Sequence, residues 1–239
     1  NWGLSIAKEE GVERLRLYDS KPSPSSFLSL AKEHGVRVTM GAWLTPDPDE
    51  NAHQLAHLRS AILNGSVEPT AVVGSEAFLF KYVSLEKLIG YIEETKQLLP
   101  DHVAVTTAEL YEVLVAHPEL IEAQRHVVGY HYYPFAHAIP IEHALQDLIQ
   151  SYNKIKALSG SKKVVIYETG WPSGGTAVGP AIPSVENQKR YNHEVSEWAR
   201  ANGVEVYLFQ IIDEPWKASF GNPYEAHWGI RREDGSPKH

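Results

Sequence analysis

The segment Lys163–Asp213 begins with K-V-V-I-Y-E-T at 163–169 and ends with E-V-Y-L-F-Q-I-I-D at 205–213, and these two apolar runs decide the fold. Each run is short and rich in β-branched and aromatic residues, which predicts a β-strand. Between them, 184–202 is predicted to be an amphipathic helix, because it opens on a serine that can cap its first turn and is followed by Gly203. Two strands joined through a helix are expected to lie parallel.

The same alternation continues toward the N-terminus. Five further strands are predicted, at Glu13–Tyr18, Arg37–Leu44, Ala71–Ser75, His102–Ala108 and Val127–Tyr133. Further helices are predicted at Asn1–Glu10, Ser25–His34, Asn51–Asn64, Ser84–Leu99, Tyr111–Ala123 and Ile141–Leu158. Strands that alternate with helices over this length indicate an α/β protein with a parallel sheet, either a barrel or a doubly wound layer.

Two features favour the barrel. No Gly-rich turn follows a strand, as dinucleotide binding would require, and polar and aromatic residues gather at the carboxyl ends of the strands, which converge on one face of a barrel. We therefore predict a (β/α)8 TIM-type barrel that forms a single domain over residues 1–239. Because seven strands are predicted and the chain opens on a helix, we expect the first strand to be missing from this chain.

The composition excludes several kinds of protein. The formal net charge of −8 disfavours nucleic acid or an anionic membrane as the main partner. The absence of cysteine excludes disulfide scaffolds, zinc–thiolate sites and thiol nucleophiles. No apolar run approaches the roughly 18 residues of a membrane span, and no segment has the pattern of a signal peptide. We expect a monomer that acts without a cofactor.

Two carboxylates lie at the ends of apolar strands and are the candidate catalytic residues. Glu76 follows the strand at 71–75, and Glu168 lies near the end of the strand at 163–169. A carboxylate in such a position is costly when it is buried without purpose. Cleavage of a glycosidic bond needs two carboxyl groups that flank it, and this pair would suit that reaction. A structural alternative is that each glutamate pairs with a neighbouring Lys or Arg.

Several motifs carry a family resemblance. The stretch 167–173, Y-E-T-G-W-P-S, resembles the nucleophile signature of glycoside hydrolase family 17, the β-1,3-glucanases and glucanosyltransferases. The stretch 72–77, V-V-G-S-E-A, is similar to the acid/base signature of that family. The stretch 210–217, Q-I-I-D-E-P-W-K, resembles the last-strand motif of its bacterial branch. Early strands, at 16–18 and 41–43, continue the likeness over nearly the whole chain.

The resemblance implies a retaining glycosidase or transglycosylase that acts on β-1,3-glucan, with Glu168 as nucleophile and Glu76 as acid/base. It also implies a secreted, periplasmic or cell-envelope location. Other side chains are then expected to bind the sugar: Tyr18, Trp43, Ser75, His131, Tyr133, Trp171, Asp213, Glu214, Trp216 and Lys217. For Trp171 and Trp216, packing beneath the site is an equally open alternative. Alternation along a strand lets only one of Tyr132 and Tyr133 face the site.

One residue departs from the family pattern. Serine stands at position 75, where the family normally has an asparagine that hydrogen-bonds the sugar 2-hydroxyl. This departure keeps open a second hypothesis, a catalytically impaired barrel that acts as a glucan-binding protein. A metal-dependent barrel hydrolase, which chelator-sensitive activity would support, is a further alternative. Separately, His53 and His57 have an i, i+4 spacing that can bind zinc. We interpret that pair as a solvated helix face and expect no metal site.

Overall fold

The structure is a computed structural model that describes residues 2–21 and 25–238. Over these residues it contains seven strands: β1 Arg14–Leu17, β2 Arg37–Ala42, β3 Thr70–Ser75, β4 Ala104–Leu110, β5 Val127–His131, β6 Lys163–Thr169 and β7 Glu205–Leu208. The α-helices are α1 Trp2–Glu9, α2 Ser25–Glu33, α3 Pro48–Leu63, α4 Leu85–Leu98, α5 Tyr111–Ala116, α6 Pro118–Ala123, α7 Ile141–Leu158 and α8 Val185–Asn202. Two 3-10 helices follow, Pro215–Phe220 and Pro223–His227. The strands follow one another through the sheet in chain order.

The chain divides into two compact units, of which the first comprises Asn1–His131 and Ile155–Val165. Its strands β1 to β5 pair in parallel, with Leu15 opposite Val38 and Met40 opposite Ala71. Val38 is buried in a cluster with Leu4 of α1 and Ala31 of α2. Burial of one large apolar side chain stabilises the folded state by about 1.5–3 kcal/mol. The helices are therefore held on the sheet by their apolar faces.

Helix α3 starts three residues earlier than the sequence pattern predicted. The side chain of Asp47 accepts hydrogen bonds from the backbone N–H groups of Asp49 and Glu50, and Pro48 occupies the first helical position. An Asp cap followed by proline is a strong start signal, because proline has no N–H group to satisfy. The exposed side chains of His53 and His57 both lie on this helix.

The helix predicted at Tyr111–Ala123 is two helices. Helix α5 ends at Ala116 and α6 begins at Pro118, with His117 between them at φ −129° and ψ 69°. A proline clashes with a helical conformation in the residue before it and lacks the N–H group that would continue the ladder. The prediction of one continuous helix was therefore wrong at this proline.

The second unit comprises Tyr132–Lys154 and Ile166–His239. Helix α8 has the predicted caps: the Ser184 hydroxyl accepts from the N–H of Asn187, and Gly203 ends the helix in the left-handed conformation at φ 63°. Strand β7 ends at Leu208 and does not continue to residue 213 as predicted. The N–H of Gln210 instead donates to the carbonyl of Trp228, so this segment pairs with a later stretch of chain.

Among residues 2–21 and 25–238, no helix has the length and apolar character needed to cross a membrane.

Candidate active site

A backbone kink presents Glu76 at the end of β3. Gly74 has φ 78° and Glu76 itself has φ 52°, a left-handed conformation that is uncommon outside glycine. The pairing of β3 with β4 shifts register between Val72 and Ser75, and the N–H of Glu76 donates to the carbonyl of Ala108 at 2.7 Å. The kink directs the Glu76 carboxyl out of the strand, and its side chain stays 18% exposed.

The Glu76 carboxyl belongs to a hydrogen-bonded network in the first unit. Nδ1 of His131, at the end of β5, lies 2.7 Å from Oε1 of Glu76. On the other side of the ring, Nη1 of Arg16 lies 3.0 Å from Nε2 of His131. Nη2 of Arg16 donates to the hydroxyl oxygen of Ser75 at 2.9 Å. The structure therefore brings together Ser75, Glu76 and His131 as predicted. It adds Arg16, for which the sequence suggested no role.

A second carboxyl lies beneath the loop that follows Glu76. Glu109, in β4, is fully buried and accepts hydrogen bonds from the backbone N–H groups of Phe78 at 2.9 Å and Leu79 at 3.3 Å. Burial raises the pKa of Glu109 to about 7, against the lowering effect of these two hydrogen bonds, and the nearby charge of Glu76 adds to the rise. The sequence alone did not reveal that Glu109 holds this loop.

Aromatic side chains lie close together in the first unit. Tyr18 and Trp43 meet edge to face with ring centroids 6.4 Å apart, and Trp43 lies 6.4 Å from Tyr82. The guanidinium of Arg16 lies 4.6 Å from the centroid of the Tyr18 ring. All three rings are partly exposed, as sugar-stacking rings must be. Sequence reasoning found Tyr18 and Trp43 but missed Tyr82, which follows no strand.

Glu168 lies near the end of β6 in the second unit and is largely buried. The hydroxyl of Tyr133 donates to Oε2 of Glu168. Tyr132 points elsewhere, because its hydroxyl donates to Asp147 of α7 at 2.6 Å. Of the two tyrosines, Tyr133 is therefore the one that contacts the candidate nucleophile.

The G-W-P-S stretch at 170–173 follows Glu168 and is held in place by contacts within the second unit. A side chain at Gly170 would place its Cβ 2.4 Å from the carbonyl oxygen of Phe209, so only glycine fits. The indole of Trp171 is fully buried and donates to the carbonyl of Ile182 at 2.9 Å. Of the two hypotheses for Trp171, packing beneath the site fits the structure. The ring has no exposed surface with which to contact a sugar directly. The N–H of Ser173 donates to the carbonyl of His227 at 2.8 Å.

Asp213 holds the C-terminal segment of the second unit. Its Oδ1 accepts from the N–H of Gly229 at 2.9 Å and from Nζ of Lys238 at 2.7 Å. Lys238 also donates to the hydroxyl of Ser173 at 2.6 Å. Both Asp213 and Lys238 are largely buried. The observed contacts of Asp213 are those of a structural ion pair, and its proposed contact with sugar stays a prediction.

The remaining predicted residues lie on or beside the first 3-10 helix. Lys217 forms an ion pair with Glu214 at 2.5 Å, and its Nζ lies 4.5 Å from the centroid of the Phe209 ring. Trp216 is 57% exposed and meets Phe220 edge to face at 5.3 Å. Core packing is therefore not the role of Trp216, in contrast to Trp171. Phe220, 69% exposed, is an aromatic neighbour that the sequence did not single out.

Comparison with known proteins points to carbohydrate-active enzymes. The sequence profile of the BtgE/BtgC glycoside hydrolase domain matches residues 3–229. A glucan 1,3-beta-glucosidase from Arthroderma benhamiae is 31% identical, over 90% of this chain and 75% of the relative. One from Saccharomyces cerevisiae is 28% identical, over 84% of this chain and 70% of the relative. A probable beta-glucosidase btgE from Aspergillus clavatus is 25% identical, over 95% of this chain and 40% of the relative.

Solved structures agree with these sequence matches. The glycoside hydrolase family 17 β-1,3-glucanosyltransferase from Rhizomucor miehei superposes with a TM-score of 0.86 at 25% identity, over 99% of this chain and 87% of that enzyme. An active-site mutant of the same enzyme was solved with laminaritriose and matches equally well. An endo-laminarinase from Formosa has a TM-score of 0.81 at 18% identity, over 98% of this chain and 78% of that one, which supports the fold alone. The predicted TIM-type (β/α)-barrel class is confirmed.

Proposed function

This chain belongs to the BtgE/BtgC glycoside hydrolase domains of glycoside hydrolase family 17, and we propose that it cleaves or transfers β-1,3-glucan chains by a retaining mechanism. In this proposal Glu168 is the nucleophile and Glu76 is the general acid/base. The observation that carries it is the distinct setting of the two carboxyls. Glu168 accepts from Tyr133, and Glu76 contacts the imidazole of His131. The named activities of the relatives, a glucan 1,3-beta-glucosidase and a β-1,3-glucanosyltransferase, support the substrate class.

The proposed reaction is a double displacement. In the first step Glu168 forms a bond to the anomeric carbon while the glycosidic bond breaks, and Glu76 protonates the oxygen that leaves with the electron pair. In the second step an acceptor oxygen attacks the same carbon and Glu76 takes its proton. The carboxylate of Glu168 then leaves unchanged. Water as acceptor gives hydrolysis, and a sugar hydroxyl gives a transglycosylation product.

The setting of Glu168 suits a nucleophile. The hydrogen bond from Tyr133 to Oε2 holds the carboxylate of Glu168 in one orientation. A fixed orientation matters because reacting atoms must be held near 3–3.5 Å apart for efficient attack. In a crystal structure we expect the carboxyls of Glu76 and Glu168 to lie about 5–5.5 Å apart, the separation typical of retaining glycosidases.

We also propose that exposed rings bind the glucan. Tyr18 and Trp43 in the first unit and Trp216 in the second present aromatic surface to solvent. Such rings can stack on the apolar face of glucose, and occupancy of an acceptor subsite would favour transfer over hydrolysis. Product analysis separates the two outcomes: oligosaccharides longer than the substrate would establish transglycosylation. Because the substrate is a polymer, we propose a secreted or cell-envelope location.

Substitution of the two glutamates tests the proposal. Glu168→Gln keeps the side-chain volume but cannot act as nucleophile, so it should abolish release of sugar from laminarin with the fold intact. A 2-fluoro-glucoside should add one glycosyl unit to the wild-type protein, and peptide mass spectrometry should locate that unit on Glu168. Glu76→Ala should spare an activated aryl glucoside more than laminarin, because a good leaving group needs little protonation.

The control is Glu197→Gln, because Glu197 lies on the exposed face of α8 in an ion pair with Arg200. This variant should retain full activity. Equal losses of Glu76→Ala on both substrates would count against the acid role. Binding of laminarin without any release of sugar by the wild-type protein would instead support the alternative, a glucan-binding protein.

A further inference from the structure

We propose that Arg16 is a positioning residue that locks His131 in its Nδ1–H tautomer, so that the acid proton of Glu76 resides on Oε2. This inference rests on the proposed role of Glu76 and goes beyond it, because it assigns the donor atom and names the residue that selects it. The relevant groups all lie in the first unit: Arg16 on β1, Glu76 directly after β3 and His131 at the end of β5.

The guanidinium of Arg16 determines which nitrogen of His131 accepts a hydrogen bond. Arginine stays protonated in proteins and has only hydrogen-bond donors. Its Nη1 lies 3.0 Å from Nε2 of His131, so Nε2 must act as the acceptor in this contact. A ring nitrogen that accepts carries a lone pair and no proton. The position of Arg16 therefore excludes both the Nε2–H tautomer and the doubly protonated ring.

The opposite side of the imidazole faces Glu76. A neutral ring with no proton on Nε2 carries its single proton on Nδ1. Nδ1 lies 2.7 Å from Oε1 of Glu76, and His131 is only 1% exposed, so this proton is donated to the carboxyl. In this tautomer His131 therefore donates to Oε1 of Glu76 through Nδ1–H.

The two oxygens of Glu76 then have different roles. Because Oε1 accepts from His131, it is the carbonyl-type oxygen when the group is a protonated acid. The acid proton then lies on Oε2, which is the oxygen that must face the glycosidic bond. When Glu76 has lost its proton, the same hydrogen bond stabilises the carboxylate. One contact thus serves both the acid step and the base step.

Arg16 is itself fixed in place. Its Nη2 donates to the hydroxyl oxygen of Ser75 at 2.9 Å, and its guanidinium lies 4.6 Å from the Tyr18 ring centroid. The planar fork of arginine can direct two N–H groups at two acceptors at once, whereas a lysine ammonium cannot reproduce that geometry. Charged groups near His131 in the described part of the first unit include Arg16, Glu76 and Glu109. Among them Arg16 alone can bind Nε2 as a donor.

Nitrogen-15 NMR of the full chain, labelled at histidine, tests the tautomer directly. The His131 signals are assigned by their loss in His131→Asn. In the wild type we expect Nδ1 to carry the proton and Nε2 to show the shift of an unprotonated ring nitrogen. A proton on Nε2 in the wild type would overturn the inference. In Arg16→Met, Nε2 loses its donor, and we expect a fraction of the ring to carry the proton there.

Kinetics then link the tautomer to the reaction. We expect Arg16→Met to lower kcat on laminarin by about 10- to 100-fold, with KM changed by less than about three-fold. Loss on an activated aryl glucoside should be smaller. Arg16→Lys keeps the charge, and its kcat should follow the fraction of Nδ1–H tautomer that NMR detects. A large loss of kcat with the tautomer unchanged would show that Arg16 acts in another way and would overturn the proposal.

The matched control is Arg190→Met, because Arg190 lies on the surface of α8 and pairs with Glu194 at 2.8 Å. It should change neither the His131 spectrum nor kcat. Failure of the proposed function has a different signature. If Glu76→Ala behaves alike on both substrates while the wild-type spectrum shows Nδ1–H, the acid role of Glu76 fails and the assigned hydrogen bonds stand.

Discussion

The hydroxyl group of Tyr133 donates a hydrogen bond to a carboxylate oxygen of Glu168. The Tyr133 ring is held by neighbours in the second unit, with its centroid 5.1 Å from that of Trp228 and 6.1 Å from that of Phe209. Tyr133→Phe keeps this packing and removes only the donor. We expect kcat on laminarin to fall by about 10-fold or more, because a hydrogen bond to a charged group contributes about 1.5–3 kcal/mol. Steady-state kinetics measure this change.

Tyr132→Phe is the matched control for this prediction. Its hydroxyl donates to Asp147, so the variant removes an equivalent donor from the adjacent position without touching Glu168. We expect a loss of thermal stability and little change in kcat. Equal effects of the two variants on kcat would argue that Tyr133 contributes only to packing.

A pH-dependent stability is expected from Glu109. Burial raises its folded-state pKa to about 7, from an ordinary value of 4.5. Between these two values the folded protein retains a proton that the unfolded chain has lost, so stability falls as the pH rises. The full effect on the free energy of unfolding is on the order of 3–4 kcal/mol, from about 1.4 kcal/mol per pKa unit. Above pH 7 the contribution is constant.

Glu109→Gln isolates this effect, because glutamine has no proton to lose and can still accept from the N–H of Phe78. Urea unfolding of both proteins from pH 4.5 to 8 gives the difference in their free energies. We expect the wild type to lose stability relative to the variant across pH 4.5–7. Parallel curves over that range would show that Glu109 does not titrate with a raised pKa.

Local patterns in the sequence identified the strand-end carboxyls correctly. Glu76 and Glu168 each follow an apolar run, and parallel strands display the residues at their carboxyl ends. The caps of α8 were also predicted from local sequence, because the capping serine and glycine act on residues close to them in the chain. The break before Pro118 could also have been predicted, because the effect of a proline on the preceding residue is local.

Long-range partners explain what the sequence did not reveal. Arg16 and His131 are 115 positions apart, and no spacing rule joins them. Strand β7 ends early because Gln210 pairs with Trp228. The alternation of apolar and polar side chains along a strand cannot reveal such a distant partner. The burial of Trp171 also depends on distant side chains, since its ring packs 5.2 Å from Phe135.

The ion pair of Lys238 and Asp213 should stabilise the second unit. Nζ of Lys238 lies 2.7 Å from Asp213, and the two side chains are 4% and 10% exposed. Lys238→Met leaves a buried carboxylate without its cation, which costs about 3–5 kcal/mol. We expect a clear fall in Tm, measured by calorimetry. In the double variant with Asp213→Asn, part of the loss should be recovered; strictly additive losses would mean that the two groups do not interact.

Ser75 stands where the family resemblance places an asparagine. Its hydroxyl oxygen accepts from Nη2 of Arg16 at 2.9 Å, and the residue is largely buried next to Glu76. In Ser75→Asn the amide oxygen could accept the same bond while the amide N–H group reaches farther toward the sugar 2-hydroxyl. Hydrogen bonds to that hydroxyl strengthen in the transition state of glycoside cleavage.

We therefore expect Ser75→Asn to raise kcat on laminarin by about ten-fold for each roughly 1.4 kcal/mol that is regained. KM should change little, because the new contact forms mainly in the transition state. Ser75→Ala is the control: it leaves Arg16 without this acceptor, so kcat should fall below that of the wild type. A steady-state comparison of the three proteins decides the matter. An unchanged or lowered kcat in Ser75→Asn would show that serine, held by Arg16, is the functional residue at this position.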